Sequence, residues 1–289
     1  QIPARHPEIK QLVRGLFLPE EGCLWGSFDY SAQEPRWLMH YASLTPATKD
    51  NEKVKEIVDL YQKDDLDFHQ MVADLAGLER VRAKTINLGI MYGMGLAKLA
   101  DMLGKISMDE AREIRDEYDE KVPFIRTLAS AVMHRASTRK ELRTLMGRKC
   151  RFPMRDKGFR AKISPIHVDK LEENWRGIMA TPEEEREENW RDNDPRKFQV
   201  AFTFKALNRL IQASSADQTK QAMQECMFRG HMPLITVHDE LCFSIEKDGD
   251  SYNQEQVKEI KHLMENCVPD MKIPSRVDIG IGENWGDAK

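Results

Sequence analysis

The chain has 289 residues, of which 40% are hydrophobic and 32% charged, and its formal net charge is −4. This composition is typical of a globular protein with one large or two small domains. No stretch approaches the ~18 uncharged apolar residues that a membrane span needs, and the N-terminus lacks a signal-peptide pattern. The five cysteines are spread out without a C-x-x-C pair. We therefore expect a cytoplasmic protein without disulfides, a membrane span or a cysteine zinc site.

The first half of the chain pairs one strand with a long helical region. Residues 24–30 have the composition of a short strand with an acid, Asp29, at its end. Pro35 suits the start of the next helix. Residues 67–103 have a mostly helical pattern. Breaks are expected at three glycines, Gly77, Gly93 and Gly104.

The second half adds helices and then strands. Ser107 and Glu110 form the pattern of a capping box, which predicts a helix over 107–118. The later elements are expected in this order: a helix over the acidic run 183–188, a long helix over 198–228, a hairpin over 234–245 with acids at its tip, a helix over 257–264 and a strand over 275–280. Because the strands fall early and late, the sequence predicts an α+β fold. Its small antiparallel sheet is built from both ends of the chain, with a largely helical subdomain inserted between them.

Charge is segregated along the chain. Residues 122–163 contain twelve Lys and Arg against two acids, whereas residues 169–196 contain ten acids against five bases. A charge run usually marks a solvated surface, but so one-sided a basic block favours a surface that faces phosphates.

Two acids stand out because each lies at the end of an apolar strand pattern. Asp29 and Asp239 are far apart in sequence, yet the predicted sheet would bring them together. Two carboxylates can hold a pair of Mg²⁺ ions for in-line displacement at phosphorus. Taken singly, each is better explained as a capping or turn acid.

The most informative helix pattern covers residues 80–93. Arg80, Lys84, Leu88 and Tyr92 recur every four residues and form one broad stripe of two cations, an aliphatic and an aromatic side chain. Such a stripe suits a nucleoside triphosphate. An ordinary amphipathic helix would have the same spacing.

Three strings, in this order, resemble signature motifs of the family A DNA polymerases. Residues 29–36 read DYSAQEPR, residues 80–93 read RVRAKTINLGIMYG, and residues 237–240 read VHDE. They are similar to motifs A, B and C of that family, and the resemblance extends over nearly everything except residues 154–196. Leu88 stands where the family commonly has Phe, which points to a phage origin.

The resemblance implies a catalytic centre in the palm. Asp29 and Asp239, with the backbone carbonyl of Tyr30, would bind two Mg²⁺ ions, with Mn²⁺ as a substitute. Glu240 would be a third acid important for the primer end, and Lys84 would stabilise the leaving pyrophosphate.

The resemblance also implies contacts to both substrates, a dNTP and a primer-template DNA. Nucleotide contacts would come from His69, Arg80, Lys84, Leu88, Tyr92 and Glu34, of which Tyr92 and Glu34 would exclude a ribose 2′-OH. DNA contacts would come from Arg148, Asn208, Gln212 and His238.

The expected domains follow the same resemblance: palm over 1–48, fingers over 49–147, a connection with a charged insertion over 148–197, and palm again over 198–289. The thumb and any exonuclease are expected upstream of Gln1 or on a separate partner chain. The predicted activity is template-directed DNA synthesis.

Three other functions remain open at this point. A single-subunit RNA polymerase shares the palm chemistry, although Glu34 with Tyr92 argues against it. A two-metal nuclease could use Asp29 and Asp239 but has no need of Arg80 and Lys84. A DNA-binding fragment that requires a thumb-bearing partner is the third.

Overall fold

The computed structural model describes residues 7–63, 66–76, 79–80, 83–84, 86, 89, 94–157, 162–163, 165–188 and 190–288. These residues form two compact units. The first contains the chain up to Ser43, Lys55–Phe68 and the chain from Gln212 onward, and the second contains Leu44–Val54 and His69–Ile211. Within the described residues, no helix has the length and apolar character needed to cross a membrane.

The helices and strands have the following bounds. The helices are α1 (Pro7–Arg14), α2 (Gln33–Leu44), α3 (Glu52–Gln62), α4 (Phe68–Ala76), α5 (Leu96–Met102), α6 (Met108–Lys121), α7 (Pro123–Arg139), α8 (Pro165–Ala180), α9 (Ala206–Phe228) and α10 (Gln254–Asn266). The strands are β1 (Cys23–Tyr30), β2 (Glu141–Arg143), β3 (Lys149–Arg151), β4 (Met154–Asp156), β5 (Lys162–Ile163), β6 (Phe198–Val200), β7 (Pro233–Val237), β8 (Glu240–Asp248), β9 (Ser251–Tyr252) and β10 (Val277–Gly282).

The first unit is built on a five-stranded antiparallel sheet. Its strand order is β10-β1-β8-β7, and β9 pairs with the far end of β8. The central strand β1 comes from the start of the chain, and its neighbours β8 and β10 come from the end. The α+β fold predicted from the sequence, a small antiparallel sheet assembled from both ends, is therefore confirmed.

The two faces of this sheet have different partners, because alternate strand residues point to opposite sides. On one face, Phe28, Leu241 and Phe243 pack with Ala222 of α9 and Ile260 of α10 in a continuous hydrophobic core. Such burial stabilises the fold by about 25 cal/mol per Å² of apolar surface removed from water. The helices α9 and α10 therefore pack on this face and hold the strands in position.

The other face carries the C-terminal segment. Trp25 of β1 stacks on Trp285 with 6.1 Å between the ring centroids, and Phe17 meets Trp285 edge-on at 5.4 Å. At Gly280 this segment approaches so closely that a Cβ atom would lie 1.8 Å from the carbonyl oxygen of Ala288. Only glycine allows that approach. The end of the chain thus packs directly on β10 and β1.

The second unit is mainly helical and adds two small sheets. Ser107 caps α6 and exchanges hydrogen bonds with Glu110, which confirms the capping box. Strands β2 and β3 form a hairpin, and β4 pairs with both β5 and β6. The helix α5 ends at Met102, and Gly104 has a φ of +99°, so the break predicted there is also confirmed.

Two predicted helices differ from the structure. The acidic run forms only the 3₁₀ turn Glu183–Glu185, and the Thr181 hydroxyl before it donates to the Gly177 carbonyl of α8. Repulsion among closely spaced glutamates disfavours a longer helix there. The long helix expected over 198–228 begins only at Ala206, because residues 198–200 pair with β4. Gly77 and Gly93 lie outside the described residues.

The five cysteines are all free thiols. Burial raises the pKa of Cys226 to about 12 and that of Cys267 to about 11. Both thiols therefore stay protonated at neutral pH. They are structural residues of the first unit and not reactive thiolates.

A buried histidine makes the stability of the first unit pH-dependent. His40 is fully buried, its Nδ1 accepts a hydrogen bond from the Lys272 backbone N–H at 3.1 Å, and Nε2 has no partner among the described residues. Burial, with a smaller effect of the Lys272 charge, lowers the pKa of His40 from 6.5 to about 4. The unfolded chain therefore takes up this proton first as the pH falls.

We expect His40 to cost the protein up to about 3 kcal/mol of unfolding free energy between pH 6.5 and pH 4. The check is urea unfolding at several pH values for the wild type and for His40→Gln, which keeps an acceptor but cannot titrate. The stability advantage of the wild type over the variant should shrink below pH 6.5. Curves that stay parallel throughout this range would contradict the assignment.

Candidate active site

Two acidic strand positions meet where neighbouring strands of the first unit's sheet end. Asp29, next to last in β1, lies directly opposite Glu240, the first residue of β8, and opposite Asp278 of β10 on its other side. The Tyr30 backbone N–H donates to the Asp239 carbonyl oxygen at 3.3 Å. Antiparallel pairing therefore brings Asp29 and Asp239 to the same end of neighbouring strands, as the sequence predicted.

A tight turn sets the position of Asp239. Val237 pairs with Glu240, so His238 and Asp239 alone connect β7 to β8. His238 has a φ of +58°, a conformation that two-residue hairpin turns use and that few non-glycine residues adopt. This turn leaves His238 exposed and Asp239 half-buried. The predicted hairpin with acids at its tip is confirmed.

Glu240 is more buried than Asp29 and Asp239, and its carboxylate is hydrogen-bonded within the protein. Its side chain is 3% exposed, and Oε1 accepts hydrogen bonds from Trp285 Nε1 at 2.9 Å and from the Ser27 hydroxyl. The Cys242 thiol lies 3.4 Å from the same oxygen. One carboxylate oxygen thus joins β1, β8 and the C-terminal segment directly behind the turn.

A cleft of about 410 Å³ opens beside Asp239. It is lined by Gln33, Glu34, Gln212, Ser215, Ala216, Thr219, His238 and Asp239. Four of the residues predicted to bind metal, nucleotide or DNA therefore share one cleft of the first unit. The sequence reasoning missed Gln33, whose amide donates to Gln218 Oε1 at 3.3 Å and to Thr219 Oγ1 at 3.2 Å. Its position inside the first motif was the available signal.

The basic residues of the second motif lie in the second unit. Arg80 and Lys84 are helical and exposed, whereas Ala83 and Ile86 between and beyond them are buried. The helix therefore presents both cations to solvent on one stripe. His69 belongs to α4, and Leu88 and Tyr92 lie outside the described residues.

The remaining predicted DNA contacts lie on a hairpin and a helix. Arg148 is exposed in the turn between β2 and β3. Its backbone N–H donates to Thr144 Oγ1 at 3.1 Å, and the preceding Gly147 has a φ of +86°. Asn208 is half-buried in the first turns of α9. The hairpin is rich in cations, and one acid, Glu141, contacts two of them, with Arg143 at 3.3 Å and Lys149 at 3.7 Å.

The acids and the Tyr30 backbone of this site offer oxygen ligands to a metal ion. Asp29 and Asp239 supply carboxylates and Tyr30 a backbone carbonyl, and no group of three or more metal-binding side chains occurs among the described residues. Mg²⁺ is commonly bound by one or two carboxylates together with waters and substrate phosphates. The site therefore fits Mg²⁺ or Mn²⁺ and does not resemble a closed zinc site.

The fold and these residues together define a polymerase domain: an antiparallel sheet with Asp29 and Asp239 at the same end of neighbouring strands, and a helical insertion that carries a basic stripe. The chain belongs to DNA polymerase family A, because the model of that family matches residues 1–287. The family predicted from the three motifs is thereby confirmed.

The relatives of known sequence and of known structure are DNA polymerases as well. The chain is 35% identical to a DNA-directed DNA polymerase of Pseudomonas phage M6, over 99% of this chain and 41% of that protein. It is 28% identical to a thermostable DNA polymerase I of Thermus aquaticus, over 100% of this chain and 30% of that protein. The POL domain of Pol1 from M. smegmatis, solved with DNA primer-template and dNTP, has the same fold, with a TM-score of 0.69 and 24% identity over 100% of this chain and 44% of that one. The chain spans about two fifths of the length of the phage relative.

Proposed function

We propose that this chain provides the palm and fingers of a polymerase that transfers a nucleotidyl group from a dNTP to the 3′-OH of a DNA primer. The observation that supports this most strongly is the pairing of Asp29 with Glu240, with Asp239 in the adjoining turn. Membership of DNA polymerase family A and the names of the relatives favour the same activity.

Asp29, Asp239 and the Tyr30 carbonyl would hold two divalent cations. When bound, such ions lower the pKa of an attacking hydroxyl and balance the charge of the leaving phosphate. The carboxylates themselves fix where the primer end and the α-phosphate lie. The tight turn at His238 and the paired strands hold both aspartates in place before substrate arrives, which favours catalysis by pre-organisation.

The fingers would bind the nucleotide. Arg80 and Lys84 are exposed cations one helical turn apart, a spacing that suits neighbouring phosphates of a triphosphate. Lys84 would stabilise the pyrophosphate as it leaves, and His69 would contact the phosphate tail. By the family resemblance, Leu88 would pack on the base and sugar, while Tyr92 and Glu34 would exclude a 2′-OH.

DNA would be bound by residues of both units. Gln212 and His238 line the cleft beside Asp239, and Arg148 lies at the tip of the cationic hairpin. Asn208 would add a contact from α9. Cationic side chains such as those of the hairpin supply the sequence-independent part of DNA affinity. We also propose that a thumb-bearing region, in the same polypeptide or in a partner chain, adds to the grip on the duplex.

The direct test is primer extension with Mg²⁺ and either dNTPs or rNTPs. We expect extension with dNTPs and much less with rNTPs, and no extension by Asp239→Ala. A preference for rNTPs would instead indicate an RNA polymerase, and shortening of the primer without added nucleotide would indicate a nuclease. Activity that arises only on addition of a thumb-bearing partner would indicate that this chain by itself is a DNA-binding module.

A further inference from the structure

The segment that leads into α9 exposes an aromatic ring beside two cations. Phe204 lies in the 3₁₀ turn Thr203–Lys205 and is 54% exposed, although phenylalanine normally packs inside. Its ring meets that of Phe202 at 6.3 Å between centroids, with 71° between their planes. The two rings form a small aromatic surface in the second unit, which we term the aromatic platform.

The backbone holds this platform in an unusual conformation. Phe202 has a φ of 59° and a ψ of 27°, in the left-handed region. That region is costly for a bulky side chain and is retained only where the surroundings enforce it. Here β6 ends at Val200 and α9 begins at Ala206, so the chain passes from strand to helix within a few residues. The turn positions Phe202 against β4 and leaves Phe204 facing solvent.

Cations surround the platform. The Lys205 Nζ lies 5.6 Å from the Phe204 ring centroid and 5.7 Å from that of Phe202, and the Arg155 guanidinium carbon lies 5.3 Å from the Phe202 ring. Lys205 has no carboxylate partner in the described part of the chain. Lys205 therefore contributes positive charge at the platform.

A ring face with adjacent positive charge fits one class of ligand, the unpaired strand of a nucleic acid. An unpaired base offers its own ring face for stacking, and its phosphates lie within reach of neighbouring cations. Paired bases in a duplex cover each other and cannot stack on an inserted side chain without being separated. A protein partner would gain from Phe204 but would have to desolvate Lys205.

We propose that Phe204, with Lys205 and Arg155, forms a binding site for single-stranded DNA. Phe204 lies four residues before Asn208, for which a DNA contact is proposed above, in the turn that leads into the same helix. The platform extends the proposed DNA contacts toward the small sheet of β4, β5 and β6. The inference extends the proposed function, but it concerns binding and can be tested on a catalytically inactive protein.

The test measures fluorescence anisotropy of labelled oligothymidylate and of a blunt duplex, without dNTP or divalent metal. Phe204→Ala should weaken single-strand binding by about tenfold, the effect of losing one stacked base, and leave duplex binding nearly unchanged. Phe204→Trp should retain the affinity. Lys205→Gln should make the slope of log affinity on log salt shallower by about 0.7.

Phe228→Ala provides the matched control. Phe228 is the other exposed phenylalanine among the described residues, at 74%, and has no cation–π contact there. Phe228→Ala should bind both the oligothymidylate and the duplex like the wild type. If Phe204→Ala does not fold, as judged by thermal unfolding, Phe204→Leu replaces it and should also lose affinity. Equal affinities of the Phe204 and Phe228 variants, or an equal loss for duplex, would overturn the proposal.

Discussion

Replacing Asp29 by asparagine is expected to slow primer extension by about a thousandfold. Asparagine keeps the size of the side chain but lacks the charge that a divalent cation requires, and losing several kcal/mol of transition-state stabilisation corresponds to that factor. The fold should survive because Asp29 is only half-buried and occupies a strand whose packing depends on its neighbours Phe28 and Tyr30. Single-turnover extension measures the effect.

Asp278→Asn is the matched control for this experiment. Asp278 pairs with Asp29 from the opposite side, so the two carboxyls lie in neighbouring strands of the same sheet. Asp278 has no role in the proposed chemistry, and its variant should extend primers at close to the wild-type rate. If both variants lost the same activity, general electrostatics of this sheet edge would explain the loss, and not metal binding by Asp29.

The second large effect is expected at Glu240, where alanine and glutamine should behave differently. Glu240→Ala leaves the buried N–H of Trp285 and the hydroxyl of Ser27 without their acceptor and should lower the unfolding free energy by about 3 kcal/mol. Glu240→Gln retains an acceptor oxygen in the same place. It should lose less than about 1.5 kcal/mol and keep most of the activity.

Urea unfolding and primer extension on the same preparations separate the possible roles of Glu240. A positioning role predicts that activity follows the hydrogen bonds: it is low in Glu240→Ala and retained in Glu240→Gln. Trp285→Phe should be coupled to Glu240→Ala in a double-mutant cycle, because each change removes one side of the same contact. If Glu240→Gln were as inactive as Asp29→Asn with an intact fold, Glu240 would instead act directly in the chemistry.

The sheet was predictable because its strands are long enough to show a pattern. Residues 24–30 and 234–245 have strand composition, and the polar interruption at residues 238–240 indicates the turn. Strands β2 to β6 contain two or three residues each, which is too short for any periodicity to be recognised. The start of the helix expected over 198–228 was misplaced for this reason, since pairing of residues 198–200 with β4 overrides the local helical pattern.

The site was predictable to the extent that it depends on local strings. Asp29 and Asp239 were recognised from the motifs that contain them, and their meeting follows from antiparallel pairing. The burial of Glu240 could not be predicted, because its partner Trp285 is 45 residues away in sequence and reaches it through the packing of the C-terminal segment. The aromatic platform was equally hidden, since it depends on the backbone conformation of Phe202.

The most direct test of the central claim is the anomalous diffraction of Mn²⁺ in crystals of the protein with primer-template and a non-hydrolysable dNTP. We expect metal peaks within about 2.5 Å of carboxylate oxygens of both Asp29 and Asp239, and their loss in Asp29→Asn. Peaks that contact neither aspartate, or that persist unchanged in the variant, would contradict it.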